Sequence, residues 1–186
     1  MKLSTLFHLP FSNDQGWPEI ERLHPRLVKL FALVALPLSL LPPIMLYYAG
    51  SVQPEIFPPQ LAGKDWGAIA VVFFVAEMAT LAFMGWFIRQ VADGNGLRID
   101  YHDAYVIAAI APIPMWLSAL GLLMPSLGFS VVLALVGLGL SCSLVYHGIE
   151  GLTHSREDVS AAGIVQTVIG AGLVAWALLL MLLLLL

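Results

Sequence analysis

One acidic residue, Glu77, lies deep inside a long apolar stretch of the sequence. It follows the start of that stretch by about eleven residues, which places it near the middle of a membrane at about 1.5 Å per helical residue. An ionised group there costs about 2.5–3.5 kcal/mol on insertion scales, so we expect a neutral or paired carboxyl that faces other helices. Two roles fit such a residue: an interhelical hydrogen bond, or proton or ion handling in a transport path.

Two prolines, Pro112 and Pro114, lie at a similar depth in another apolar stretch. Each lacks a backbone N–H, so the carbonyls four residues earlier lose their usual partners and we expect the helix to bend near the membrane centre. A protonated Glu77 can donate a hydrogen bond to such a carbonyl or to Ser118. These four residues form the candidate polar site, and the structural and proton-handling roles both stay open.

A second group of polar side chains lies near one predicted membrane surface, the cytoplasmic rim. His147, Glu150 and His154 are spaced i, i+3 and i+7, which is one face of a continuous helix. His102 and Asp103 begin a neighbouring helix, and such groups can ligate zinc. Interfacial histidines more often hydrogen-bond at the headgroup level, so we predict no metal and no other cofactor. The rim set is His102, Asp103, Tyr146, His147, Glu150 and His154.

Motifs of known catalytic chemistry do not occur in the sequence. There is no P-loop, no His-Glu-x-x-His and no Gly-x-Ser-x-Gly. No basic cluster suggests nucleic-acid binding. The single cysteine, Cys142, lies inside an apolar stretch and is most simply a small packing residue. We therefore predict that the protein is not an enzyme.

Five long apolar stretches position these residues, and each is about the length needed to cross a hydrocarbon core. Hydrophobic residues make up 60% of the chain and charged residues 11%, unlike a soluble domain. The predicted fold class is all-α: a polytopic membrane protein with a five-transmembrane-helix bundle and a short N-terminal interfacial helix. The predicted spans are Leu27–Tyr48, Trp66–Val91, Ala104–Met124, Leu127–His147 and Ala161–Leu186.

The N-terminal segment, residues 1–26, is predicted to carry the interfacial helix, with Pro18 in its first turn. Ile20, Leu23 and Leu27 share one face of that helix and would lie against the membrane. The alternative is a frayed polar tail.

The positive charges are distributed unevenly between the two predicted sides of the membrane. Of the eight lysine and arginine residues, all but Lys64 fall on one side. The positive-inside rule therefore places the N-terminus in the cytoplasm and the C-terminus outside. The charges on the cytoplasmic side are Lys2, Arg22, Arg26, Lys29, Arg89, Arg98 and Arg156.

Small residues four apart recur in the last two apolar stretches. The fourth contains Gly137-x-x-x-Ser141 and Gly139-x-x-x-Ser143, and the fifth is rich in Gly and Ala over residues 170–175. Such spacing lets helices approach closely. Packing within the chain is the simpler interpretation, and homodimerisation through one of these faces is the alternative.

Three segments carry a resemblance to a known family: the lead-in Trp17–Ile20 (WPEI), the proline-containing Ala111–Ser118 (APIPMWLS) and Tyr146–Ile149 (YHGI). With five spans in this order, the chain resembles the bacterial branch of the Yip (Ypt-interacting protein) domain family. The resemblance implies a small inner-membrane protein with a cytoplasmic N-terminus and a Yip-like domain over residues 27–186. Eukaryotic relatives are linked to small GTPases and vesicle traffic, but their Asp-Leu-Tyr-Gly-Pro signature does not occur here.

Two functions are consistent with these observations. The first is a non-catalytic Yip-type membrane protein that binds partner proteins or organises membrane lipid. The alternative is a small oligomeric transporter or channel that uses Glu77. Five helices do not divide into two equal inverted repeats, so we favour the first. The expected partners are the lipid bilayer and a membrane protein or a second copy of the chain, and not nucleic acid.

Reporter fusions test the predicted topology. We expect reporters at Lys64 and at the C-terminus to lie outside, and reporters near Arg98 and Arg156 to lie in the cytoplasm, because positive charge is retained there. The measurement is the activity of an enzyme reporter that works on one side of the membrane only. A cytoplasmic C-terminus would mean that one of the five stretches does not cross.

Overall fold

The computed structural model describes residues 16–61, 63–97, 99–153 and 158–185. Five helices in these ranges are long and apolar enough to cross a membrane, which confirms the predicted fold class. No strand occurs among the residues described. The first to fifth helices run over Leu27–Val52, Trp66–Gly94, Tyr101–Leu123, Leu127–Thr153 and Asp158–Leu185.

Several helices extend beyond the apolar stretches that predict them. The second continues to Gly94 and the fourth to Thr153. The third begins at Tyr101, where the Asp100 carboxylate caps it by accepting a hydrogen bond from the Tyr101 backbone N–H (2.7 Å). Hydrophobicity marks the thickness of the hydrocarbon core, whereas a helix can continue into the headgroup region.

The third helix is broken at its prolines, as the sequence predicts. A regular helix over Tyr101–Ile110 ends in a turn at residues 111–112 and resumes over Ile113–Ser118, followed by a tighter 3-10 segment. Hydrogen bonding continues on both sides of the break: the Ala111 N–H donates to the Ile107 carbonyl (2.8 Å), and the Trp116 N–H donates to the Pro112 carbonyl (3.0 Å). Within the most apolar 18-residue stretch of the third helix, 50% of the residues are buried inside the protein, whereas the corresponding share in the fifth helix is 6%. The broken helix therefore lies at the centre of the bundle.

Glycines let the neighbouring helices approach the third helix closely. A Cβ atom at Gly85 of the second helix would lie 2.7 Å from the Tyr105 ring. The Tyr105 hydroxyl donates across the same contact to the Ala82 carbonyl (3.0 Å). On the other side, a Cβ atom at Gly137 of the fourth helix would lie 2.8 Å from the Pro114 carbonyl oxygen. Both contacts depend on the absence of a side chain.

The first helix is irregular in a way that the sequence analysis missed. A π-helical turn occupies Phe31–Ala35, just before Pro37. Such turns form where the regular hydrogen-bond ladder is interrupted, and a proline interrupts it because it has no N–H. The Ser39 hydroxyl, fully buried, donates to the Leu36 carbonyl (2.9 Å) and so helps to satisfy this region.

The N-terminal helix, Trp17–Leu23, packs against one end of the bundle, with Pro18 in its first turn. Trp17 is fully buried and its indole lies against Gly148 of the fourth helix. Ile20 is also buried within the chain, whereas Leu23 is 55% exposed and is left available to the membrane surface. The helix ends at His24, which turns the chain in the left-handed conformation.

The two ends of the bundle differ in their number of lysine and arginine residues. At one end, the Lys64 ammonium donates to the Leu184 carbonyl (2.8 Å), which places the first connection beside the end of the fifth helix. At the other end lie the N-terminal helix and the four described arginine and lysine residues Arg22, Arg26, Lys29 and Arg89. Lys2, Arg98 and Arg156, which also entered the charge prediction, lie outside the described residues.

Candidate functional site

Glu77 faces the interior of the bundle. The second helix places it about three turns after Trp66, and only 7% of the residue is exposed. The polar side chain beside its carboxyl is the indole of Trp116 on the third helix, which is itself 3% exposed. The carboxyl oxygen Oε2 is buried without a hydrogen-bond partner among the described residues. The side chain therefore points towards the third helix, as expected for a costly polar group in hydrocarbon.

Trp116 is the site residue that sequence reasoning missed. A buried indole N–H needs an acceptor, and hydrocarbon offers none outside the protein. The sequence did contain a signal for this contact: one apolar stretch has a tryptophan, and another has a single acidic residue that can accept a hydrogen bond from it. The proline break brings it into place, because the short helix Ile113–Ser118 that carries Trp116 begins directly after Pro112.

Ser118 makes a different contact from the one anticipated. Its hydroxyl donates to the Met115 carbonyl of its own helix (2.7 Å). Its Cβ lies on the side of the third helix that meets Gly137, as does the Pro114 carbonyl. Of the predicted polar site, Pro112 and Pro114 shape the break, while Ser118 belongs to the contact with the fourth helix.

The surroundings of Glu77 are apolar. A buried cluster next to it combines residues of the first three helices: Ala35, Leu81, Ala109 and Trp116. Glu77 does not line either of two apolar grooves formed by the described residues. The larger, about 310 Å³, lies between the first and second helices and is lined by Leu40, Pro43, Ile44, Tyr47, Gly67, Ala70, Val71 and Phe74. This enclosure favours a structural role for the carboxyl.

The rim residues separate into two groups. His102 and Asp103, at the start of the third helix, contact each other at 3.2 Å and lie beside His24, which the sequence analysis did not include. On the fourth helix, the rings of Tyr146 and His147 are 5.2 Å apart.

His147 Nδ1 is buried without a hydrogen-bond partner in the described structure. Glu150, one turn further along the same helix, is partly buried. His154, the third member of the predicted helical face, lies outside the described residues.

The small residues of the last two helices also divide. Gly137 packs inside the chain, as predicted, against Pro114 and Ser118. Gly139 on the fourth helix and Gly170 on the fifth are exposed, and a Cβ atom at either would meet nothing within 4 Å. Packing within the chain therefore explains the face that contains Gly137. The faces that contain Gly139 and Gly170 remain without a partner among the described residues.

Comparison with protein families matched residues 7–184 to the Yip1 domain. This chain belongs to the Yip1 domain family. The match covers nearly the whole chain and all five long helices, so this Yip1-domain protein is an integral, multi-pass membrane protein. No curated protein matched the chain, and no solved structure matched it.

Substitution of Glu77 tests its role in this Yip1-domain protein. Glu77→Leu removes the acceptor beside the Trp116 indole and is expected to lower stability by about 0.5–2 kcal/mol relative to Glu77→Gln, which retains an acceptor oxygen. The measurement is thermal unfolding of the purified protein in detergent. Glu55→Leu, a change of an exposed acid in the first connection, is the control and should behave as wild type. Equal stability of the Gln and Leu variants would contradict a structural role.

Proposed function

We propose that this Yip1-domain protein is not an enzyme and acts by binding another membrane-embedded helix along the outward face of its fifth helix. The observation that carries the proposal is a seam of small residues and one valine on this face. The seam consists of Gly163, Thr167, Gly170, Val174 and Ala177, and all five are exposed. Below, these five residues are called the helix-five seam.

The spacing of the helix-five seam is that of a helix–helix contact. Successive members are four and three residues apart in turn, the seven-residue repeat by which knobs of one helix enter holes of another. Small side chains let two backbones come close, and close packing is a main driving force for association in lipid. A Cβ atom at Gly163 or Gly170 would meet nothing within 4 Å, so no other part of the described chain occupies the seam.

The polar groups on this face are compatible with a helix partner. The Thr167 hydroxyl donates to the Gly163 carbonyl of its own helix (2.8 Å), so it needs no further partner. Gln166, at the edge of the seam, is exposed, and its amide can form a hydrogen bond across a helix pair. The fifth helix also has the smallest buried share of the five, which leaves this face available.

Within the same proposal, the protein resides in a bacterial inner membrane with its N-terminus in the cytoplasm. The support is the sequence resemblance to the bacterial Yip branch and the concentration of positive charge at the end that carries the N-terminal helix. The partner that we propose is a membrane protein or a second copy of this chain, and organisation of lipid alone is the competing outcome.

A second candidate function is proton-linked transport through an oligomer. One observation favours it: the buried Oε2 of Glu77 has no hydrogen-bond partner among the described residues. The enclosure of Glu77 by apolar side chains supports the first proposal instead. The two differ for Glu77→Gln, which removes titration: a transporter would fold normally and lose proton-coupled uptake, whereas a helix-binding protein would keep its cellular activity.

Site-specific photocrosslinking in native membranes tests the helix-five seam. A genetically encoded diazirine amino acid at Gly170 or Ala177 should give a discrete protein adduct. The same probe at Leu173 or Leu180, exposed at similar depth but outside the seam, should not. An adduct of twice the chain's mass identifies a second copy, and another discrete mass identifies a different protein.

A blocking substitution supplies the matched control. Gly170→Leu fills the seam at a position where an added Cβ atom would meet nothing within 4 Å, and it should abolish the adduct formed from position 177. Gly139→Leu, at an equally open glycine on the fourth helix, should leave that adduct unchanged. Lipid adducts alone at the seam positions, or equal protein adducts at Leu173 and Leu180, would contradict the proposal.

A further inference from the structure

We propose that His24, His102 and Asp103 form a binding site for a divalent metal ion of the zinc class, between the N-terminal segment and the third helix. One ligand atom from each of the three side chains lies within 4.8 Å of the other two. The three come from two segments far apart in the chain. This site is independent of the helix-five seam, and it differs from the sequence-based expectation of no metal.

Hydrogen bonding fixes which nitrogen of His102 carries a proton. Its Nε2 lies 2.8 Å from the Pro25 carbonyl oxygen. A carbonyl oxygen can only accept, so Nε2 must be the protonated donor. In the neutral ring, Nδ1 then has a free lone pair. Histidines that bind metals usually donate their second nitrogen in this way, which fixes the tautomer and the direction of the ring.

The free lone pair of His102 points at a second acceptor. Nδ1 lies 3.2 Å from Asp103 Oδ1. An ionised carboxylate oxygen is also acceptor-only, so these two atoms repel each other unless a proton or a metal ion lies between them. Zinc bonds of about 2.0–2.1 Å in a tetrahedral site put neighbouring ligand atoms about 3.3–3.4 Å apart. The observed separation is close to that value.

His24 is held in place by an unusual backbone conformation. It is the one non-glycine residue with a positive φ (35°) in the part of the chain that the structure describes. A left-handed residue is a common way to end a helix, and here it ends the N-terminal helix. The turn brings the centroid of the His24 ring to 5.1 Å from the centroid of the His102 ring. The next residue, Pro25, provides the carbonyl that accepts the hydrogen bond from His102 Nε2. Because His24 is exposed, side-chain rotation can bring its nitrogen into coordination range.

The charges around the site are suited to a cation. The helix dipole places partial positive charge at the N-terminus of the third helix, which disfavours a bound cation. The carboxylates of Asp100 and Asp103 lie at the same end and supply negative charge. Asp100 is already engaged in capping Tyr101, so Asp103 is the carboxylate left to coordinate. Three protein ligands would leave one tetrahedral position for water. A bound ion would also stabilise the position of the N-terminal helix on the bundle, in addition to the contact of Trp17 with Gly148.

Zinc binding by the purified full chain in detergent tests the site. Calorimetry with Zn²⁺ should show one site per wild-type chain, and Zn²⁺ should raise the unfolding temperature. His24→Asn keeps a residue type that tolerates the left-handed conformation but removes the imidazole, and Asp103→Asn removes the charged oxygen. Each should weaken Zn²⁺ binding by at least about tenfold. His147→Asn, at a rim histidine outside the site, should bind as wild type.

Two results would overturn the proposal. If folded wild-type protein, checked by circular dichroism and gel filtration, binds no Zn²⁺, then a proton bridges His102 and Asp103 as an ordinary ion pair. If His24→Asn and Asp103→Asn bind as tightly as wild type, the ion is held adventitiously elsewhere. A variant that binds poorly counts as support only when the same preparation is folded without metal, which those two measurements establish.

Discussion

Hydrocarbon offers no hydrogen-bond partners, and this constraint organises the whole bundle. A helix broken by two prolines exposes backbone polar groups, so it is tolerated only where other protein surrounds it. The third helix meets this condition because the second and fourth helices close over it. Gly85 lies against Tyr105 on one side, and Gly137 lies against the Pro114 carbonyl on the other. The remaining helices take positions around this centre.

The same constraint separates the parts of the molecule by role. The centre pairs Glu77 with Trp116 inside an apolar cluster, where a titrating group would have little access to water. The surfaces available for interaction lie outside that centre, along the fifth helix and at the rim. The proposed metal site lies between the N-terminal segment and the third helix, so an ion bound there would act on the same central helix. In the proposed function, partner binding therefore depends on other residues than those that stabilise the centre of the fold.

Much of this arrangement could be read from the sequence, because hydrophobic length and proline chemistry act locally. The five helices, the break after Ile110 and the inward direction of Glu77 follow from those rules. The approach of His24 to His102 could not be predicted, since it depends on how two segments 78 residues apart fold together. Trp116 could have been proposed from its indole N–H, but periodicity alone does not show which helix it faces. The π-helical turn before Pro37 also depends on packing.

The central claim is that a polar contact between the second and third helices secures the broken helix. A double-mutant cycle measures it directly, with Glu77→Leu, Trp116→Phe and the combined variant compared by reversible unfolding in detergent. We expect a coupling free energy of about 0.5–2 kcal/mol, because either single change already removes the contact and the second change then costs less. Strictly additive effects of the two substitutions would contradict the account.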